Sequence, residues 1–91
     1  MRKYITFFWP ELRGDGYNDW GTSTWFIELD DSNYPSRQIE VYQNGKRLKY
    51  DQKHFEDVYG FLGDQSFGEN ELNEMKASEI SKNEFEKEWR L

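Results

Sequence analysis

The single histidine and the many carboxylates are the residues of this chain that could do chemistry. His54 lies just before Glu56 and Asp57, a grouping that could supply a general base or metal ligands. One histidine cannot build a histidine-rich metal site, the chain has no cysteine, and no serine forms a nucleophile motif around it. We therefore predict that the protein is not an enzyme and uses no cofactor or metal.

Two carboxylates on neighbouring strands could serve as the acid and base of a glycosidase. Glu28 and Glu40 form such a pair in the predicted sheet. Exposed carboxylates are common on sheet surfaces, and Arg37 and Lys49 are available to neutralise both. We interpret Glu28 and Glu40 as surface residues that pair with these bases.

The acidic residues are distributed unevenly along the chain. The net charge is −6, and residues 1–50 contribute none of it because their seven acids match seven bases. Residues 51–91 hold eleven acids against five bases. A surface of one sign attracts partners of the opposite sign and repels nucleic acid and anionic membranes. The charge therefore favours a basic protein partner, and we expect binding to neither nucleic acid nor membranes.

The composition predicts a folded cytoplasmic domain. Charged residues make up 33% of the chain, but seven Phe, six Tyr and four Trp are more than a disordered chain carries. Ninety-one residues have room for one core, so we predict a single domain over residues 1–91. No apolar run suits a signal peptide or a membrane helix, and the lack of cysteine permits a reducing compartment. We expect a monomer or weak dimer.

The elements that must position the charged residues begin with a sheet. Aromatic and β-branched residues predict strands over 3–9 and 24–30, with a glycine-rich loop between them. Together with the hairpin that follows, they predict an antiparallel sheet of about four strands within residues 3–51.

The hairpin is the clearest local pattern. Asn44-Gly45 between two alternating runs is typical of a two-residue type I′ turn. In that register Val41 opposes Leu48 on one face. Glu40 then opposes Lys49 on the other face, an attractive cross-strand pair.

The remainder, residues 54–90, is predicted to be helical. Apolar residues over 54–62 have helical spacing and predict a short helix or turn, and residues 69–76 predict a second short helix. The predicted fold class is α+β, an antiparallel sheet with short helices, including a C-terminal helix, packed on one face.

The C-terminal helix has the best-defined start. Ser81 and Glu84 form a capping box, which satisfies backbone amides at the first turn. Phe85 and Trp89 lie four residues apart and are expected to dock the helix onto the sheet. The charged residues between and beside them are expected to face water: Glu84, Glu86, Lys87 and Glu88.

Eight residues are candidates for contact with a partner. Most of the acids alternate with aromatic residues in the segment after the sheet, where aromatic side chains could anchor an interface. The two aromatic candidates of the 10–23 loop could instead fold back onto the sheet, and the acids could simply keep the domain soluble. The eight are Tyr17, Trp20, Asp57, Tyr59, Asp64, Glu69, Glu71 and Glu74.

Three segments, taken in order, resemble a family of small, uncharacterised bacterial proteins. They are a strand with Glu-x-Asp (25–31), an Arg-x-x-Glu strand with Asn-Gly (37–45), and a terminal Ile-Ser-x-x-Glu-Phe-x-x-x-Trp helix (80–89). The likeness covers residues 24–50 and 79–89. Residues 51–78 depart from it, because that segment tends to be proline-rich in the family and has no proline here.

Such small acidic proteins look like the immunity proteins of bacterial competition systems, including contact-dependent growth inhibition. The resemblance implies no active site. It implies a partner, a basic toxin domain that is often a nuclease, whose cationic groove an acidic protein can cover. We therefore expect an immunity protein that binds and neutralises its cognate toxin of a polymorphic toxin system. The alternative is a non-catalytic regulatory or scaffold module that binds a protein.

Overall fold

The structure, a computed structural model, describes residues 2–91, which form a five-stranded antiparallel sheet, a small two-stranded ribbon and two short α-helices. The order of strands in the sheet is β4-β3-β2-β1-β7, and β5 pairs with β6 in the ribbon. The elements are β1 (Lys3–Trp9), β2 (Ser23–Leu29), β3 (Pro35–Tyr42), β4 (Arg47–Tyr50), β5 (Glu56–Asp57), β6 (Gly60–Phe61), α1 (Glu69–Glu74), β7 (Ser78–Ile80) and α2 (Lys82–Trp89). The predicted α+β class is confirmed.

The sheet has five strands rather than about four, because part of the predicted helical segment 54–90 is extended. β7 pairs with β1, with Tyr4 opposite Ile80, and so satisfies backbone groups that β1 would otherwise leave open at the sheet edge. At 54–62 the chain forms the β5–β6 ribbon, so the turn, and not the helix, is correct there. The Asp57 carboxylate accepts hydrogen bonds from the backbone amides that follow it and stabilises this turn.

The β3–β4 register differs from the predicted one by a single residue. Glu40 lies opposite Leu48, and Val41 lies opposite Arg47. A type I′ turn requires a positive φ at both of its central residues. Of Asn44 and Gly45, only Gly45 has a positive φ, at 92°. The connection is therefore one residue longer, with the Gly45 amide donating to the carbonyl of Tyr42 at 2.9 Å. A slip of one residue exchanges the two faces of β4.

One face of the sheet, here called the helix face, is covered by α2. Phe85 is completely buried against Tyr4 and Ile39, and Trp89 stacks on Phe85 with ring centroids 6.2 Å apart. The Ser81 hydroxyl accepts a hydrogen bond from the Glu84 amide at 3.1 Å. The predicted cap and the docking of the terminal helix are confirmed.

Ion pairs neutralise much of the charge on the helix face. Arg37 binds Glu28 on β2 and Glu86 on α2, with N–O distances of 2.7 and 2.6 Å. Arg47 binds Glu88 at 2.9 Å. Glu86 and Glu88 are thus half-buried partners of sheet arginines, and the prediction that they face water is wrong. The predicted pairing of Glu28 with Arg37 is confirmed, but Glu28 is only 5% exposed, so its interpretation as a surface residue is wrong.

The opposite face, here called the loop face, is covered by α1, the ribbon and the 10–22 loop. Its core contains two clusters. The first joins Ile5, Phe7, Ile27 and Leu29 to Leu72 and Met75, which flank the end of α1. The second consists of Trp20, Tyr42, Leu48 and Tyr50, with Tyr17, Tyr59 and Leu62 against it. The two helices therefore lie on opposite faces of the sheet, and the predicted packing on one face is wrong. Side chains alternate along each strand, so both faces carry apolar residues that need cover.

Candidate functional site

A cavity of about 490 Å³ opens on the loop face between the strands, the 10–22 loop and the ribbon. Its volume falls within the range of roughly 300–1,000 Å³ that is usual for ligand sites. Its apolar walls are aromatic and come from Trp9, Trp25, Phe61 and Phe67. Polar side chains of β3 lie among them, so the cavity combines apolar walls with a few converging polar groups.

Glu40 is the charged residue of β3 that lines this cavity, and it is only 4% exposed. Its carboxylate accepts hydrogen bonds from the Tyr42 hydroxyl at 2.5 Å and from the side-chain amide of Gln38 at 2.9 Å. Gln38 also donates to the carbonyl of Phe61 and accepts from the Gly63 amide, which ties the ribbon to the sheet. Burial raises the pKa of Glu40, and its two hydrogen bonds offset only part of that effect.

No basic side chain of residues 2–91 lies within ion-pair distance of the Glu40 carboxylate. The predicted pair with Lys49 is wrong, since the register places Lys49 on the helix face, where it donates to the carbonyl of Trp89. The interpretation of Glu40 as a surface residue is wrong for the same reason. The carboxylate of Glu28 lies on the helix face, so the two do not form a glycosidase-like pair.

Arg13 is the base that lines this cavity, and its ion pair is with Asp15 and not with Glu40. Its guanidinium donates to Asp15 at 2.6 Å, to the Tyr42 hydroxyl at 3.0 Å and to the carbonyl of Tyr59. The guanidinium carbon lies 5.0 Å from the ring centroid of Trp20. The chain therefore holds its own guanidinium among aromatic rings beside the cavity.

The predicted aromatic anchors pack around Arg13. Tyr17, Trp20 and Tyr59 have ring centroids 5.1–5.5 Å from one another. Trp20 is 6% exposed and belongs to the core, so it folds back onto the sheet and is not available as an anchor. Tyr17 and Tyr59 are half-buried, and Tyr59 also lines the cavity.

The predicted contact acid Asp57 is used within the chain. It accepts hydrogen bonds from the Tyr50 hydroxyl at 2.9 Å and from the amides of Tyr59 and Gly60. His54 Nε2 donates a hydrogen bond to the other carboxylate oxygen at 3.2 Å, and the His54 ring stacks on the Tyr50 ring. Burial raises the pKa of Asp57, but these hydrogen bonds outweigh it and lower the pKa. His54 thus belongs to the structure of the turn and lies outside the cavity.

The other predicted acids are exposed on the loop-face side. Asp64 lines the cavity, and Glu69, Glu71 and Glu74 lie on α1. Among the described residues these four make no ion pair within 4.0 Å. The structure therefore brings Tyr59 and Asp64 together at the cavity, while the acids of α1 lie beside it.

The residues that sequence reasoning missed surround the mouth of the cavity. Leu12 and Phe61 are 52% and 60% exposed, and Trp9 is 39% exposed. We call these three, together with Glu11 and Asp64, the rim. Alternation along β1 places Trp9 on the loop face, but no local pattern shows that Leu12 and Phe61 line the same cavity as Trp9.

Residues 2–91 present neither a metal-binding cluster nor a membrane-spanning helix. No group of three or more His, Asp or Glu side chains there is arranged to hold a metal ion. None of the helices in this range has the length and apolar character needed to cross a membrane.

Comparison with known proteins identifies a family. A family model described as Domain of unknown function (DUF6881) matches residues 20–91. No significant match was found among curated proteins or solved structures. The matched range contains Glu40, Phe61 and Asp64, whereas Trp9, Glu11 and Leu12 precede it. Because the model covers most of the chain, the protein belongs to the DUF6881 family.

Proposed function

We propose that the chain is a cytoplasmic immunity protein that binds a basic toxin domain and neutralises it by covering its substrate groove, without catalysis. The observation that carries this proposal is the loop face. There, exposed apolar side chains surround a cavity, and acidic side chains that make no ion pair within residues 2–91 lie next to them. Buried apolar anchors within a charged periphery are typical of protein interfaces.

The contrast between the two faces supports this choice of surface. On the helix face, Glu28, Glu86 and Glu88 pair with arginines of the sheet. The acids on the loop-face side keep their charge available to a partner: Glu11, Asp64, Glu69, Glu71 and Glu74. Complementary charge accelerates encounter with a basic protein, and this attraction weakens as salt screens it.

The exposed apolar residues supply the short-range part of the interaction. Trp9, Leu12 and Phe61 line the same cavity and so form one patch. A toxin that buries this patch would gain about 25 cal/mol for each Å² of apolar surface removed from water. Charge alone would give fast but weak binding, whereas charge around an apolar patch gives slow dissociation as well.

The experiment measures binding to the product of the neighbouring gene, and protection of cells from it. We expect tight binding that weakens with salt and growth of cells that co-express both proteins. The test variant neutralises three loop-face acids: Glu11→Gln, Asp64→Asn and Glu74→Gln. The control adds the same total charge at exposed positions outside the cavity: Ser32→Lys, Gln52→Lys and Asn83→Lys.

We expect the test variant to bind at least ten times more weakly and the control to bind nearly as the original protein does. A second variant, Phe61→Ala, removes an exposed anchor and should weaken binding without changing the unfolding temperature. Equal losses in test and control would contradict the loop face as the interface. Binding to a different basic protein without protection from the toxin would favour a regulatory or scaffold module.

A further inference from the structure

The cavity contains a buried carboxylate that makes no ion pair with any residue of the range 2–91. Glu40 is 4% exposed, and its hydrogen-bond donors, Tyr42 and Gln38, are neutral. A buried charge without a counter-charge destabilises the fold, so such a group points to a site where a ligand supplies the missing charge.

The charges around the cavity favour a cation. Four acids and one base line it. The base, Arg13, is already paired with Asp15 at 2.6 Å, which leaves Glu40 with the rim acids Glu11 and Asp64. The field inside the cavity is therefore negative, and an anionic ligand would be repelled.

The walls suit a flat cation better than a compact one. Trp9, Trp25, Phe61 and Phe67 present aromatic surface, and a guanidinium stacks on aromatic rings while it binds a carboxylate with two N–H groups. The chain already shows this chemistry at Arg13, whose guanidinium carbon lies 5.0–5.5 Å from three aromatic ring centroids.

We infer that the cavity receives an arginine side chain of the partner protein, whose guanidinium binds the Glu40 carboxylate between the aromatic walls. The inference rests on the proposed function for the source of the arginine. The ability of the cavity to bind a guanidinium is independent of the proposed function and can be tested with a small molecule. In the complex the guanidinium supplies the counter-charge that Glu40 lacks among residues 2–91, and this offsets the cost of burying the carboxylate.

The experiment titrates N-acetyl-arginine amide into the protein and follows the Trp9 and Trp25 indole NMR signals. N-acetyl-citrulline amide, which has the same shape without the charge, is the matched ligand control. We expect saturable shifts with a millimolar dissociation constant for the arginine compound and at least tenfold weaker binding of the citrulline compound. Equal binding of the two compounds, or no shift with either, would overturn the inference.

Variants separate the role of Glu40 from general charge. Glu40→Gln keeps the shape and should weaken arginine binding at least tenfold, while Glu69→Gln on α1 should leave it unchanged. The unfolding temperature of Glu40→Gln at pH 7 should not fall, which excludes misfolding as the reason for lost binding. Arginine binding that is the same in Glu40→Gln as in the original protein would refute the assignment.

The two proposals fail in different ways. Toxin binding by a protein that does not bind the arginine compound would overturn the cavity inference alone. Binding of the arginine compound by a protein that gives no protection from the toxin would overturn the proposed function alone.

Discussion

Replacement of Glu28 by Gln tests the ion-pair network that joins α2 to the sheet. The Glu28 carboxylate accepts hydrogen bonds from Arg37 at 2.7 and 3.0 Å and from the Ser36 hydroxyl at 2.7 Å, and Arg2 lies 3.4 Å away. Burial raises the pKa of Glu28, but the bonds from Arg37 and Ser36 outweigh it and lower the pKa to about 2. The charged form is therefore stabilised by the fold.

The magnitude follows from the two pKa values. A fall from 4.5 to about 2 corresponds to an upper limit of about 3 kcal/mol of folding free energy. Arg2 is half-exposed and water screens the network, so we expect about 1–2 kcal/mol from Glu28 at pH 7. Because the pKa is lowered in the folded state, this stability is present above pH 4.5 and disappears as the pH falls towards 2.

The assay is urea unfolding of the original protein and of Glu28→Gln between pH 2 and pH 7. The difference in unfolding free energy should be about 1–2 kcal/mol at pH 7 and should vanish near pH 2. Glu69→Gln, on the exposed helix α1, is the control and should match the original protein throughout. A difference that is the same at all pH values would refute the reasoning, since it would then come from shape and not from charge.

Three further changes test other parts of the fold. Trp20→Ala removes a core ring and should lower the unfolding free energy by about 3–5 kcal/mol in urea, whereas a surface anchor would cost little. Gly45→Ala places a side chain at φ 92° with open space around it, so strain alone should cost about 1 kcal/mol by thermal unfolding. The raised pKa of Glu40 predicts that its contribution to stability falls as the pH rises above 4.5, so, relative to the original protein, Glu40→Gln should be more stable at pH 8 than at pH 4. A constant difference over that range would contradict it.

Local patterns predicted the elements that depend on nearby residues. The cap at Ser81, the docking residues Phe85 and Trp89, and the main strands appear as expected, because a capping hydroxyl or an alternating run acts within a few residues of itself. The segment 54–62 was ambiguous for the same reason. Its helical spacing competes with the turn at Asp57, and contacts with the sheet through Gln38 favour the turn.

The candidate site was harder to predict, because it combines distant segments. Asp64 and Tyr59 lie at the cavity as part of the predicted contact segment. Asp57, although acidic and exposed in part, is held by the turn and by Tyr50. No sequence pattern indicates a role for Leu12. It lies at the cavity only because the 10–22 loop covers that face of the sheet.

The amino-acid sequence by itself determined the α+β class, the uneven charge and the start of the last helix, since composition and short-range hydrogen bonds decide these. Only the tertiary structure decided which charged side chains remain available to a partner protein. A hairpin register that differs by one residue places Lys49 with α2 and leaves Glu40 in the cavity. That register is favoured because it buries Leu48 and Tyr50 against Trp20 and Tyr42. These contacts join distant segments, so no local pattern predicts them.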